Sequence, residues 1–190
     1  PPRSTLFPYT TLFRSVVLVV LFTLLFFGLL YGNLTVADRL APPIRPPGPE
    51  EDLLRGYHLA VGHRRGLIRL VLSGLFAVIA GLGVSGRWQD WLLFTNAVDF
   101  GITDPQFGRD LGFYVFRLPF MSFVIGWLFA TLIIVLVLTT IFHYINGGIR
   151  LQSVGERVQP QVKAHLSVLL GLIALVRAGD YWLEIGRAHV

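Results

Sequence analysis

The feature that most limits how this chain can fold is residues 120–145, a run of 26 residues without Asp, Glu, Lys or Arg. A helix needs about 20 mainly apolar residues to cross the hydrocarbon core of a membrane, and a longer one crosses with tilt. Three further apolar segments approach this length: 16–32, 66–85 and 165–183. Together they predict an all-α membrane protein with about four transmembrane helices. The alternative, buried helices in a water-soluble core, is disfavoured by uncharged runs of this length.

The composition agrees with a membrane protein. Only 14% of the residues are charged, against about 25% in soluble globular domains. The absence of cysteine excludes a disulfide scaffold, a cysteine nucleophile and thiolate metal sites. The formal net charge is +5. In a membrane chain such a basic excess marks cytoplasmic loops and lipid head groups, so we expect the lipid bilayer as a partner and no nucleic acid.

Basic residues between the predicted spans indicate the orientation. If the spans alternate across the membrane, nine basic residues lie on one side and three on the other. The positive-inside rule therefore places loops 33–65 and 146–164 in the cytoplasm and loop 86–119 outside. Within loop 33–65, a proline-rich stretch precedes an amphipathic helical pattern. This pattern fits either an interfacial helix on anionic lipid or a connector packed on the bundle.

The two ends of the chain resemble translated sequencing adaptors. Residues 1–15 match, codon by codon, one reading frame of a common short-read adaptor, and residues 184–190 match the opposite adaptor. Segments of this origin are set aside before the fold is interpreted. We therefore expect a native transmembrane fragment over 16–183 and non-native ends. A natural leader rich in Pro, Thr and Phe and a short natural tail are the alternative.

Small residues indicate where helices approach each other. On the second span, small residues recur every four positions, a spacing that lets two membrane helices pack closely: Ser73, Ala77, Gly81 and Ser85. Gly126 and Ala130 form a second such pair on the third span. The segment 81–86 also fits the dinucleotide pattern GxGxxG, but it closes an apolar helix instead of following a strand, so we do not interpret it as a nucleotide site.

Charged and titratable residues give few signs of chemistry. Arg177 and Asp180 lie three residues apart in the last span, so they share a helix face and form a candidate intramembrane ion pair. A structural or snorkelling role is favoured over an ion pathway. His143 and His165 lie at the ends of different spans and have no carboxylate partner. Two histidines alone are weak evidence for a metal site. We see no nucleophile–base set and expect no cofactor, metal or catalytic residue, so the sequence leans against an enzyme.

The predicted outer loop is the most distinctive stretch. Residues 99–120 combine turn-forming residues with many aromatic and long apolar side chains. Asp104 before Pro105 predicts a turn. We expect the loop to fold back on the span ends, with its rings inward and with Arg109 and Asp110 at the wet rim. Its most characteristic motif consists of Thr103, Asp104, Pro105, Gln106, Phe107 and Gly108.

Five segments, in order and spacing, carry a family resemblance: FGITDPQFGRDLGFYVFRLPF (100–120), GWLF (126–129), HYINGGIRLQ (143–152), AHLSVLLGL (164–172) and YWL (181–183). They resemble the N-terminal membrane half of uncharacterised protein family 0182, large multi-pass proteins of mainly actinobacterial type. The resemblance runs from about residue 66 to residue 183. It implies about seven spans followed by a large soluble region outside, of which this fragment carries a middle group of spans. The family has no established activity and therefore supplies no catalytic residues.

These observations predict a fragment of a multi-pass bacterial plasma-membrane protein of unknown biochemical function. Its spans would anchor and scaffold a missing extracytoplasmic domain, and its partners would be the bilayer and the protein's own missing spans and outer domain. A transporter or channel component is the alternative, supported by the charged pair in the last span and by the outer loop. A pathway needs polar side chains from several spans at mid-depth, and the first three spans offer almost none.

Overall fold

The computed structural model describes residues 8–42, 64–105, 107–150 and 157–185. The amphipathic pattern predicted in loop 33–65 lies outside these residues. Within them the chain is helical, with two isolated bridges and no β-strand. Five α-helices follow one another: α1 Pro8–Arg39, α2 Arg65–Leu82, α3 Trp88–Thr95, α4 Leu118–Ile145 and α5 Pro160–Ile185.

Within the described ranges, four helical stretches are long and apolar enough to cross a membrane: Ser15–Arg39, Arg65–Thr95, Phe113–Ile145 and Pro160–Leu183. Each contains one of the four predicted spans. The all-α part of the prediction and its four membrane-length helices are therefore confirmed. The crossing of a membrane and the outer position of the aromatic-rich loop stay predictions.

The region between the second and third spans is more helical than predicted. A 3₁₀ turn, Ser85–Arg87, joins α2 to α3, and a π-helical turn, Phe113–Arg117, leads into α4. Of the described residues over 86–119, only 96–105 and 107–110 have irregular backbone, whereas the sequence predicts one loop over the whole range. The predicted spans stop next to charged residues. A helix continues past such a residue because a long basic side chain can carry its charge back to water.

Helices α1 and α2 approach closely along small residues of α2. Ser73, Ala77 and Gly81 are buried. A Cβ atom built on Gly81 would lie 1.8 Å from Oγ1 of Thr23 and 3.0 Å from the carbonyl oxygen of Val19, both on α1. A residue without a side chain is needed here, which confirms the packing predicted from the four-residue spacing.

The second predicted small-residue pair meets no other helix among the described residues. Gly126 and Ala130 are both exposed on α4, and no neighbouring atom lies within 4 Å of a Cβ built on Gly126. Sequence spacing shows that two residues share a helix face. It does not show whether another helix meets that face.

The helix ends gather at two ends of the bundle. At one end, which we call the histidine end, the ends of α1 and α4 meet the starts of α2 and α5. At the other, the aromatic end, the start of α1 meets the end of α2, α3 and the start of α4. Phe22 packs there edge-on against Trp127, with 4.7 Å between ring centroids. Buried apolar side chains fill the bundle between the two ends, among them Phe26, Leu30, Ala77, Val135 and Leu169.

Candidate functional site

Three polar side chains from three helices meet inside the histidine end. Nε2 of His143 on α4 lies 3.0 Å from Nδ1 of His165 on α5. Nε2 of His165 lies 3.1 Å from Oδ1 of Asn33 on α1. Nδ2 of Asn33 donates to the carbonyl oxygen of Leu29, at 2.7 Å. These contacts form a hydrogen-bonded chain, which we call the polar chain, across α1, α4 and α5.

The polar chain is buried at His143 and half-buried at Asn33 and His165. The side chain of His143 is 0% exposed, and the rings of His143 and His165 are nearly perpendicular, at 82°. Apolar neighbours along the helices include Leu34 and Phe142, both buried. Because an unmade hydrogen bond is costly in such surroundings, the chain holds the three helices in one mutual arrangement.

The sequence pattern does not bring these residues together. It presents His143 and His165 as separate histidines at the ends of different predicted spans, and it gives no sign that Asn33 meets them. Their common signal is position, since each polar residue lies within about two turns of a helix end in an otherwise apolar stretch. Within the described ranges, no cluster of three or more His, Cys, Asp and Glu side chains could hold a metal ion.

An ion pair lies beside the polar chain at the same end. Nη1 of Arg69 on α2 donates to Oδ2 of Asp38 on α1 at 2.5 Å, and the two side chains are 14% and 25% exposed. Asp38 lies five residues beyond Asn33 on α1. This carboxylate compensates the arginine that the sequence places inside the second span.

The candidate pair in the last span lies at the opposite, aromatic end. Nη1 of Arg177 donates to Oδ2 of Asp180, as the three-residue spacing allows. The Arg177 guanidinium also lies over the ring of Tyr181, 4.7 Å from its centroid. The Arg177 side chain is 43% exposed, so the pair lies at the edge of the helix bundle and not inside it.

The outer-loop motif forms a turn held by Asp104. The backbone N–H of Gly108 donates to the carbonyl oxygen of Asp104 at 2.8 Å. Its carboxylate oxygen Oδ2 accepts from the N–H of Phe107 at 3.2 Å and from the hydroxyl of Tyr114 at 3.1 Å. Thr103 pairs with Asp110 in an isolated bridge that closes the loop. Pro105 is exposed, and Gln106 lies outside the described residues.

Asp110 organises the other half of the loop from a partly exposed position. Its carboxylate accepts from the backbone N–H groups of Phe100, Gly101 and Gly112, at 2.9, 2.7 and 2.6 Å. Gly101 has a φ of 72°, which turns its N–H toward the carboxylate. The pKa of Asp110 is lowered, mainly by the N–H of Phe100, with smaller lowering by Gly112 and Gly101 against partial desolvation.

The aromatic rings of the loop divide between packed and exposed positions. Phe120 is buried, whereas Phe100 is 50% exposed and packs edge-on against Phe116. The prediction that all the rings turn inward is therefore wrong for Phe100. The guanidinium of Arg109 lies 4.5 Å from the ring centroid of Phe113 and 4.9 Å from that of Trp182. These cation–π contacts attach the loop to the end of α5.

The two ends of the bundle differ in charge. The described side chains at the histidine end include one carboxylate, Asp38, and seven basic residues: Arg39, Arg64, Arg65, Arg69, Arg150, Arg157 and Lys163. Those of the aromatic end and its loop include four arginines and five carboxylates: Arg87, Arg109, Arg117 and Arg177, with Asp90, Asp99, Asp104, Asp110 and Asp180. Among the described residues, the histidine end is thus basic and the other end is nearly balanced; residues 43–63 and 151–156 of the same two loops add two arginines and four carboxylates to the sequence.

Comparison with known proteins identifies the family. A profile described as "Uncharacterised protein family (UPF0182)" matches residues 4–188. The chain belongs to the UPF0182 family. The match exceeds the range of the resemblance seen in the sequence and overlaps both terminal segments. The adaptor origin of those segments stays a prediction.

Relatives of this UPF0182 chain come from several bacteria. A UPF0182 protein of Frankia casuarinae is 42% identical over 175 residues, covering 92% of this chain and 17% of the relative. One from Salinispora arenicola is 40% identical over 181 residues, covering 93% and 18%. One from Streptomyces coelicolor is 37% identical over 175 residues, covering 92% and 18%. The chain thus spans less than a fifth of the length of these relatives. No solved structure matches it.

Proposed function

We propose that this UPF0182 chain is a membrane-embedded anchor and scaffold, and that it holds a much larger protein in a bacterial plasma membrane. The observation that carries the proposal is the sorting of charge to the two ends of four membrane-length helices. A basic end and a nearly balanced end, separated by apolar packing, match a bundle that crosses a membrane with its basic end in the cytoplasm. The loop over 96–110 then faces outward.

The hydrogen-bonded conformation of the outer loop supports the scaffold part of the proposal. Two carboxylates, Asp104 and Asp110, fix the backbone of a loop that still exposes apolar side chains. Ile102 is 60% exposed and Phe100 50%. An ordered loop with exposed apolar groups is suited to contact with another part of the protein. The part of the protein proposed to make this contact is the outer region of the same full-length chain.

Membrane extraction tests the anchor. The 190-residue chain, expressed in a bacterial host, is expected to stay in the membrane pellet through washes with alkaline carbonate and urea, because only detergent displaces spanning helices. A peripheral membrane protein of the host serves as the control and is released by the same washes. Release of the chain with this control would refute the proposal.

Photo-crosslinking tests the scaffold. In the full-length protein, a photoreactive amino acid at Ile102 is expected to crosslink to the outer region of the same chain. The same amino acid at Leu75, which is 58% exposed on the side of α2, is the control and should label lipid. Lipid adducts alone at both positions would contradict the scaffold role.

One observation favours a second candidate, a transport component. The polar chain of Asn33, His143 and His165 comes from three different helices, as a pathway requires. Between it and the Arg177–Asp180 pair, however, the described bundle is packed with apolar side chains. Proteoliposomes holding the 190-residue chain are therefore expected to show no proton or ion leak above empty vesicles. A leak abolished by His143→Phe would favour transport over the anchor.

A further inference from the structure

The hydrogen bonds of the polar chain determine where each proton lies. A backbone carbonyl accepts only, so the contact with Leu29 identifies the amide nitrogen of Asn33 and directs Oδ1 toward His165. An amide oxygen also accepts only, so Nε2 of His165 carries a hydrogen. A neutral imidazole has one N–H, which leaves Nδ1 of His165 as an acceptor.

The same reasoning applies to the ring of His143. Nδ1 of His165 accepts, so Nε2 of His143 must donate across the 3.0 Å contact. Neutral His143 then has no hydrogen on Nδ1. Every N–H donor of the polar chain is therefore directed from α4 toward α1. At α4 the polar chain ends in Nδ1 of His143, which has a free lone pair.

That nitrogen is enclosed. Nδ1 of His143 is buried, and no described protein group lies within hydrogen-bonding distance of it. The turn after α4 covers the ring closely: a Cβ atom on Gly148 would lie 3.6 Å from Nδ1 and 2.8 Å from a methyl carbon of Val162. The amide nitrogen of Asn146, three residues on, is likewise buried without a described partner. With Oγ1 of Thr139, one turn before His143, three buried polar atoms without a described partner thus lie along the end of α4.

The charged groups near this nitrogen lie on each element around it. On the turn after α4, which covers the ring, Arg150 donates from Nε to the carbonyl oxygen of Gly147 at 3.3 Å, and its backbone N–H donates to the carbonyl oxygen of Arg157. On α5, His165 contacts His143, and Lys163 is exposed two residues earlier. On α1, the polar chain presents the neutral side chain of Asn33, and Asp38 is paired with Arg69 of α2. These groups are basic, or, like Asp38, already paired, so a positive charge on the buried ring is shared only with His165 and Asn33 along the polar chain.

We infer that His143 and His165 form a binding site for a single proton, with Nδ1 of His143 as the acceptor and Asn33 as the positioning residue. The lone pair of Nδ1 takes a proton from hydronium, which leaves as water. This step breaks no bond of the polar chain, because Nε2 of His143 still donates to Nδ1 of His165. The bond becomes charge-assisted and is strengthened.

A second proton is incompatible with the same geometry. It would place N–H groups of two cationic rings against each other across the 3.0 Å contact. The bond between α4 and α5 would then be replaced by repulsion. The site is therefore saturated by one proton, and further acidification separates the two helices at the histidine end.

Nitrogen NMR of the histidine-labelled 190-residue chain in lipid nanodiscs tests the inference without any substitution. At neutral pH we expect both rings to carry hydrogen on Nε2, with a measurable coupling across the hydrogen bond from Nε2 of His143 to Nδ1 of His165. On acidification, Nδ1 of His143 is expected to gain a hydrogen first while that coupling persists. Hydrogen on Nδ1 of either ring at neutral pH, or loss of the coupling with the first proton, would overturn the inference.

Two variants of Asn33 test its positioning role. Asn33→Asp keeps an acceptor facing His165, so the Nε2–H form of both rings is expected to persist. Asn33→Leu removes the acceptor, so His165 is expected to lose its single tautomer and the coupling between the rings to disappear. The same tautomers in Asn33→Leu as in the unsubstituted chain would show that Asn33 does not position the rings.

Discussion

The close contact between α1 and α2 makes Gly81→Ala an informative substitution. The new methyl carbon would lie 1.8 Å from Oγ1 of Thr23, and 3.0 Å from both its Cβ and the carbonyl oxygen of Val19. Rotation of the Thr23 side chain relieves the first contact, but the other two remain tight. Either the helices move apart or the contact stays strained. Overpacking of this kind costs about 1–3 kcal/mol, or roughly a 5- to 150-fold change in the folding equilibrium.

Gly74→Ala is the matched control for this substitution. Gly74 lies on the same helix, and no neighbouring atom is within 4 Å of a Cβ at its position. Both substitutions gain the same helix propensity, up to about 1 kcal/mol, so the difference between them isolates the interhelical contact. Unfolding by increasing SDS in mixed micelles, followed by tryptophan fluorescence, measures that difference.

We expect Gly81→Ala to be less stable than Gly74→Ala by about 1–3 kcal/mol. Thr23→Ala in the same chain should restore part of the loss, because it removes Oγ1 but leaves the carbonyl oxygen of Val19 in place. Equal stability of the two alanine variants would show that α1 and α2 do not meet at Gly81, and would refute the packing argument.

Three further predictions concern the loop and the chain ends. Gly112→Ala places a Cβ 2.2 Å from the carbonyl oxygen of Val98, so trypsin should cleave at Arg109 faster than in Gly126→Ala, and equal rates would argue against the packed loop. Because the folded-state pKa of Asp110 is lowered, its contribution to loop order is complete above the ordinary value of 3.8 and is lost as the pH falls through the lowered value. Asp110→Asn should weaken amide protection at Phe100 and Gly101 at neutral pH and remove this acid dependence; unchanged protection would contradict the role of the carboxylate. Resequencing of the source DNA should show that residues 1–15 and 184–190 come from adaptor, and a native frame that continues through them would disprove that origin.

The membrane-length helices were predictable because length and apolarity alone determine whether a segment can cross a bilayer. The packing of Gly81 was predictable for a similar reason, since small residues repeated every four positions favour close contact between membrane helices. Gly126 and Ala130 show the limit of this argument, because spacing does not reveal which helix faces meet.

The polar chain was not predictable from the sequence. Asn33, His143 and His165 are far apart along the chain, and their meeting depends on the rotation of three helices about their axes. The role of Asp110 was not predictable for a related reason: a charged loop residue is expected to contact solvent, but the sequence does not show that its carboxylate also accepts from three backbone N–H groups of its own loop. Positive φ at Gly101 makes that geometry possible.

Accessibility of single cysteines tests the central claim most directly, namely that the helices cross a membrane with the histidine end in the cytoplasm. The chain has no cysteine of its own, so Ile102→Cys and Gln161→Cys each introduce one label site at an exposed position. In intact cells, a membrane-impermeant thiol reagent is expected to label Ile102→Cys, and to label Gln161→Cys only after the membrane is opened. The reverse pattern would invert the orientation, and labelling of both positions in intact cells would contradict a bundle that spans the membrane.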